Sequence, residues 1–377
     1  MPLPGKAQTY DLTTGVIVNI EDVIYLLSPT DVPLLGGQGA DGASALSTDT
    51  CFEKKIEWLD EDLLLPKSLI QTATTTGDGF IVVTAGQQNR FSTGDVLIVG
   101  TSNERLRVTG YGVTADSLLV TRSFQSSTAG SVTVGLTVTI LGQALAEGAD
   151  PENARAADRN NRSNFTQIFG PTKVHVTGTE NVVRKYGLGG TTEFDKQAAN
   201  RTKEQMIQIE QAILYGKALE DSGNKWRTMG GMFDFITTNV DNSTTTITES
   251  TLLNQLQNAY DAGGSPDRVV MGSKTKRVVS GFNTSITVNV VRPDNVRGQV
   301  VDYFDSDFGT VTMILDRWCR TSDVFGFNRD QAVVVTLRPM QFEMLAKTGD
   351  ALQGQVLAEK SFRFVRQAHA FKFTALT

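Results

Sequence analysis

The sequence predicts an α+β chain interrupted by one all-β insertion. Three observations carry that expectation. Residues 67–149 hold short, evenly spaced β-rich runs with no helical periodicity. Residues 192–216 carry the clearest amphipathic helix. From residue 250 onward, helical and strand patterns alternate. The chain has 377 residues, 40% of them hydrophobic, with 35 glycines. That is the ordinary composition of a globular protein long enough for two to three domains of about 150 residues each.

Residues 1–50 read as an irregular arm. The stretch LSPTDVPLLGGQGADGASALSTDT is rich in Pro, Gly, Ser, Thr and Asp, so it makes turns and needs another surface to order it. In CFEKKIEWLDEDLLLP, Phe52, Ile56 and Trp58 alternate with Glu53, Lys55 and Glu57, the period of a half-buried strand. A matching strand is expected in TQIFGPTKVHVTGT, with Ile168, Val174 and Val176 on one face. These two strands read as the arms of one long hairpin interrupted by an insertion. The insertion between its arms contains FIVVT, VLIVG, RLRVTGY, SLLVTRSF, SVTV and TVTIL, parted by turns such as Gly77-Asp78-Gly79. Short strands at roughly 8–12-residue spacing predict a small barrel or sandwich.

PENARAADRNNRSN reads as a helix with Arg155, Arg159 and Arg162 on one face at i, i+4 and i+7. That face is expected to be solvated or paired with Glu57, Asp60, Glu61 and Asp62. Thr192-x-x-Asp195 then opens the long helix and Gly216 closes it, with Phe194, Ala198, Met206, Ile209 and Ile213 as the apolar stripe. Ser250 is expected to cap the next helix, which stops at Gly263-Gly264. DRVVM is a strand, and Ser273 caps the helix after it. The segments around VTMIL and QAVVVTLRPM are strand-rich, and SFRFVRQAHAFKFTAL closes the chain as a strand pair.

The same residues exclude most chemistry. Two cysteines, Cys51 and Cys319, cannot build a disulfide framework and read as buried thiols. His175 and His369 stand alone, so neither a zinc site nor a Ser-His-Asp arrangement assembles around them; His175 reads as a surface or interface side chain. Gly37-x-Gly39-x-x-Gly42 lacks the strand before and the helix after that a dinucleotide fingerprint requires, and reads as a flexible turn. Asp302, Asp305 and Asp307 lack the ordered loop and terminal Glu of a calcium site, and read as a solvated turn. No catalytic, cofactor-binding or metal-binding residue is identified. The start of the sequence has no apolar leader, and no apolar run approaches the roughly 18 residues of a membrane span, so an intracellular, soluble protein is expected. A net charge of −6 argues against tight binding of nucleic acid by phosphate neutralisation.

A projecting two-stranded hairpin is marginal alone in water, and an irregular arm needs a surface, so these features point to a subunit of an assembly. The candidate interface residues are Phe52, Ile56 and Trp58 on the hairpin, with Arg155, Arg159 and Arg162 beside them.

At SPTDVPLL (28–35), EWLDEDLLLP (57–66) and SNFTQIFGPTKVHVTGT from Ser163, the chain resembles tailed-bacteriophage major capsid proteins of the Hong Kong 97-like fold, in the group with a β insertion in the extended loop. The helix from Glu193, FDSDFGTVTMILDRW, and the closing KTGDALQGQ and AHAFKFTAL extend the resemblance over nearly the whole chain. It implies an N-terminal arm at 1–50 and an extended loop at 51–66 with 150–178. It places an insertion domain at 67–149, a peripheral domain with a spine helix at 179–249 and 346–377, and an axial domain at 250–345. It further implies hexamers and pentamers of this chain, an icosahedral head assembled in the host cytoplasm, and double-stranded DNA enclosed without tight binding. Portal, scaffolding and decoration proteins are implied partners, and no enzymatic activity or cofactor is. A cellular encapsulin-like shell, or a hydrolase with an accessory β module, are the alternatives.

Overall fold

The computed structural model describes residues 28–36, 45–62, 66–100, 103–148, 158–185, 191–282, 303–347 and 349–377. The chain divides into two units, Met1–Trp58 with Arg162–Thr377, and Leu59–Asn161.

In the first unit the longest element is the helix Glu193–Tyr215, about 35 Å at 1.5 Å per residue. Its start is set by the Thr192 hydroxyl, which accepts the Asp195 amide, and its end by Gly216. The buried face carries Phe194, Ile209, Ile213 and Leu214, together with two polar residues, Gln205 and Glu210. Met206, expected in the stripe, is exposed.

This helix lies against a four-stranded sheet whose order is Ser47–Thr50, Ala332–Met344, Ala351–Phe364, Gln167–Thr177. The first pair is parallel and the other two are antiparallel. Helix and sheet enclose one core in which Ile209 and Ile213 meet Phe169, Val334, Phe362 and Phe364. Each such side chain removed from water contributes about 1.5–3 kcal/mol. A second, six-stranded sheet runs in the order Asn239–Asp241, Phe371–Phe373, Val324–Phe327, Arg268–Met271, Gly309–Leu315, Tyr303–Ser306. Helices Glu249–Asp261 and Ser273–Val279 cover it, with Leu252, Leu256, Val269, Met271, Phe371 and Phe373 in a core of their own.

The second unit is a closed barrel of six strands, Lys67–Thr72, Phe80–Val83, Ser117–Thr121, Glu104–Tyr111, Asp95–Val99 and Thr137–Gln143, in that order around the wall. Alternation puts Ile81, Val83, Leu97, Val99, Leu106 and Val108 inside, and closure leaves no free edge. No helix among the described residues is long and apolar enough to cross a membrane.

Several expectations change. Lys55–Asp62 does pair with a later strand, but with Asp158–Phe165. Gln167–Thr177, the expected second arm, is a strand of the four-stranded sheet and packs Val174 and Val176 on Phe194. Residues 158–165 are therefore extended, not helical, which removes the proposed helical face of arginines. Ile168 is exposed while Phe169 is buried, because the register shift between Phe169 and Thr172, at Gly170 with φ +96°, moves the alternation by one residue. The closing strands Ala351–Phe364 and Phe371–Phe373 join different sheets and do not pair with each other. Thr248 caps the helix assigned to Ser250, in a reciprocal pair with Thr251, and Gly272 precedes the helix assigned to Ser273, which is its first residue. Residues 1–27, Gly37-x-Gly39-x-x-Gly42, Arg155 and Asp302 lie outside the described residues.

Candidate arm-docking and assembly site

The expected interface residues are scattered. Phe52 precedes the strand and is 95% exposed. Ile56 is half-buried against the main core, and Trp58 is only 9% exposed. The Trp58 ring meets Phe235 edge-on at 5.7 Å. Trp58 is thus a core residue of its own subunit and not a free anchor on a projecting strand. The period-2 pattern is right, but the buried face of the strand is covered from within the chain. Arg159 is exposed and pairs with Glu61 at 3.3 Å; Arg162 is half-buried further along the same strand. Three residues apart on a strand, they face opposite sides. Cys319 is buried and Cys51 half-buried, both free thiols. His175 is exposed on its strand, between the buried Val174 and Val176.

The most constrained site gathers where residues 31–35 lie on the first unit. The helical turn Pro33–Gly36 offers its unsatisfied amides to Glu210. The Leu34 N–H donates to Glu210 Oε1 at 3.2 Å and the Leu35 N–H to Oε2 at 3.4 Å. Asp31 adds two tethers: its carboxylate pairs with Arg317 at 2.7 Å, and its carbonyl accepts the Trp318 indole N–H at 2.9 Å. Asp316, just past the strand Gly309–Leu315, accepts the Trp318 amide at 2.7 Å through Oδ1. Glu210 and Asp316 are both fully buried. Burial pushes the Glu210 carboxyl up, the neighbouring Asp316 charge pushes it further, and it reaches about 8. Burial likewise raises Asp316. Cys319 beside them is pushed up to about 12 by burial, and the Tyr215 hydroxyl is raised for the same first reason. A cavity of about 210 Å³ adjoins the turn, lined by Leu34, Leu35, Leu46, Met206, Ile209 and Lys360.

Chemically this site can seat a chain segment. Among the described residues, no three His, Cys, Asp or Glu side chains cluster as metal ligands would. Sequence reasoning missed Glu210 and Asp316. The available signal was position: Glu210 falls beside Ile209 and three residues before Ile213, on the buried face of the stripe. Asp316 follows the buried run VTMI.

The second unit has its own buried carboxylate. Glu104 is fully buried and accepts Arg122 Nε at 2.9 Å and Nη2 at 2.7 Å, plus the Ser123 and Gly130 amides at 3.2 and 3.1 Å. Burial works against its ionisation, yet the Arg122 guanidinium and these amides hold it below the ordinary glutamate value.

The capsid of Myoviridae phage XM1 is similar in fold, with 10% identity and a TM-score of 0.49 over 96% of this chain and 100% of that one. The capsid of a native GTA particle gives 8% identity and 0.49 over 96% of each chain. A holo-encapsulin complex from Synechococcus elongatus gives 9% and 0.40, over 58% of this chain and 78% of that one. Among curated proteins, none matches. The family model described as SU10 major capsid protein matches residues 6–377. The chain belongs to that family: it is a structural subunit of a bacteriophage capsid, not an enzyme.

Proposed function

We propose that this chain self-assembles into hexamers and pentamers that close as an icosahedral head around double-stranded DNA, assembled in the host cytoplasm. The observation that carries the reading is the family match over residues 6–377, which makes the whole chain a shell subunit. The excess of acidic residues supports it, since a net charge of −6 suits a wall that encloses DNA without gripping it. In this reading residues 1–50 serve as the arm and the barrel as an insertion domain. The long helix is the spine of a peripheral domain at 179–249 with 346–377, and residues 250–345 form the axial domain. Phe52, Arg159 and Arg162 are the surface residues offered to neighbours, Phe52 foremost because it is a large apolar side chain left exposed among the described residues. Portal, scaffolding and decoration proteins are the further partners of such a shell. Electron microscopy of the purified protein tests the proposal. Closed particles showing five- and six-fold capsomers are expected, with nuclease-resistant DNA inside those recovered from infected cells. A 40.9 kDa monomer at every concentration and salt would overturn it.

A further inference from the structure

We propose that Glu210 and Asp316 form a proton-operated latch for arm residues 31–35: one shared proton keeps the arm seated, and its loss releases it. The inference is about the single subunit and does not rest on the shell reading above.

The geometry sets the requirement. Both carboxyls are fully buried, one from the long helix and one from the end of a sheet strand. Asp316 accepts the Trp318 amide through Oδ1 and faces the Glu210 carboxyl and the Cys319 amide, while its Oδ2 is buried with no hydrogen bond of good geometry among the described residues. An unsatisfied buried acceptor is costly, and two adjacent buried carboxylates cost more. A proton on Glu210, donated to Asp316, removes both penalties at once. It leaves the other Glu210 lone pairs for the Leu34 and Leu35 amides.

Among the described residues, no other group neutralises the pair. Asp31 adds negative charge near Asp316, and its own partner, Arg317, is an exposed pair. Cys319 and Tyr215 face the pair as neutral groups, with Asp323 behind Cys319. The Arg320 guanidinium stacks over the Tyr215 ring at 4.2 Å. Lys360 lines the adjoining cavity, and burial alone perturbs it. No cation bonds to either carboxyl of the pair among the described residues.

The direction of the raised Glu210 value agrees: its proton is held well above the ordinary glutamate range, to about 8. The sign follows. A carboxyl that keeps its proton longer when folded contributes fully below the ordinary glutamate value, and loses that contribution as pH rises through about 8. The arm is the part that yields, because its one helical turn buries only Leu34 in the core, whereas the long helix buries Ile209, Ile213 and Leu214 there and the strand adds Ile314.

Hydrogen exchange at the Leu34 and Leu35 amides of the full chain tests this directly, with rates corrected for the intrinsic dependence on hydroxide. Protection is expected to fall by up to about tenfold per pH unit between the ordinary glutamate value and about 8, and to level off above 8. Glu210→Gln keeps a donor for Asp316 Oδ2 and an acceptor for the amides, so protection should become independent of pH. Asp316→Asn removes the neighbouring charge but leaves Glu210 buried, so the drop should shrink without vanishing. Equal wild-type protection at pH 6 and 9 would overturn the latch, as would a Glu210→Gln variant, helical by circular dichroism, that keeps the same fall of protection with pH.

Discussion

Glu104 in the barrel and Glu210 in the long helix are both fully buried, but their partners differ in kind. Glu104 faces the forked Arg122 guanidinium and two backbone amides, so it stays ionised and sits below the ordinary glutamate value. Glu210 faces a second carboxyl and the amides of a short helical turn, so its value is raised to about 8. The difference teaches that burial alone does not fix a carboxyl's charge: the nearest partner does. A strand-to-loop guanidinium makes a permanent clamp, whereas a proton makes a clamp that the solvent can remove.

Two substitutions should break the comparison most severely. Arg122→Leu leaves Glu104 buried without its cation, and loss of about 3–5 kcal/mol is expected in the barrel, read as faster exchange of the Leu106 and Val108 amides with urea. Unchanged exchange there would show that the amides alone suffice. Trp58→Ala, in the other unit, should cost a similar 3–5 kcal/mol by opening a cavity against Phe235. Thermal melting should fall together with particle yield; yield lost at an unchanged melting temperature would return Trp58 to the surface as an interface anchor.

An intermediate effect sharpens the contrast through pH. Glu104, lowered when folded, contributes stability that is lost as pH falls through its folded value. Glu210, raised when folded, contributes stability that is lost as pH rises toward about 8. Acid should therefore loosen the barrel first and alkali the arm seat first, measured by residue-resolved exchange at pH 4 and pH 9. The same order of loosening at both extremes would refute the assignment.

These sites also mark what the sequence made legible. The barrel strands were readable because alternation and Gly-Asp turns are local signals, and the long helix because Thr192, Asp195 and Gly216 mark its ends within a few residues. Strand pairing was not, since nothing local tells Asp158–Phe165 from Gln167–Thr177 as the partner of Lys55–Asp62. The burial of Trp58 was illegible for the same reason: Phe235 comes from a remote part of the chain. The carboxyl pair was missed because a binary apolar-polar reading assigns every glutamate to the surface. Glu210 on the stripe's own face contradicts that rule, and it is the kind of conflict between pattern and position that marks a site with a purpose.

The smallest expected effect is at the exposed pair. Arg159→Ala removes the exposed contact with Glu61, and stability should change by less than about 1 kcal/mol. A larger loss, measured by urea denaturation, would mean that this arginine is held by more than one carboxylate.

The protonation states themselves are the most direct test of the contrast between the two glutamates. Infrared difference spectra of the full chain at pH 7, taken against Glu210→Gln and separately against Glu104→Gln, report the carbonyl band of a protonated carboxyl. That band should be present in the wild type and vanish with Glu210→Gln, while Glu104→Gln removes only carboxylate absorption. A wild-type spectrum without the protonated band at pH 7, or one whose band vanishes with Glu104→Gln, would contradict it.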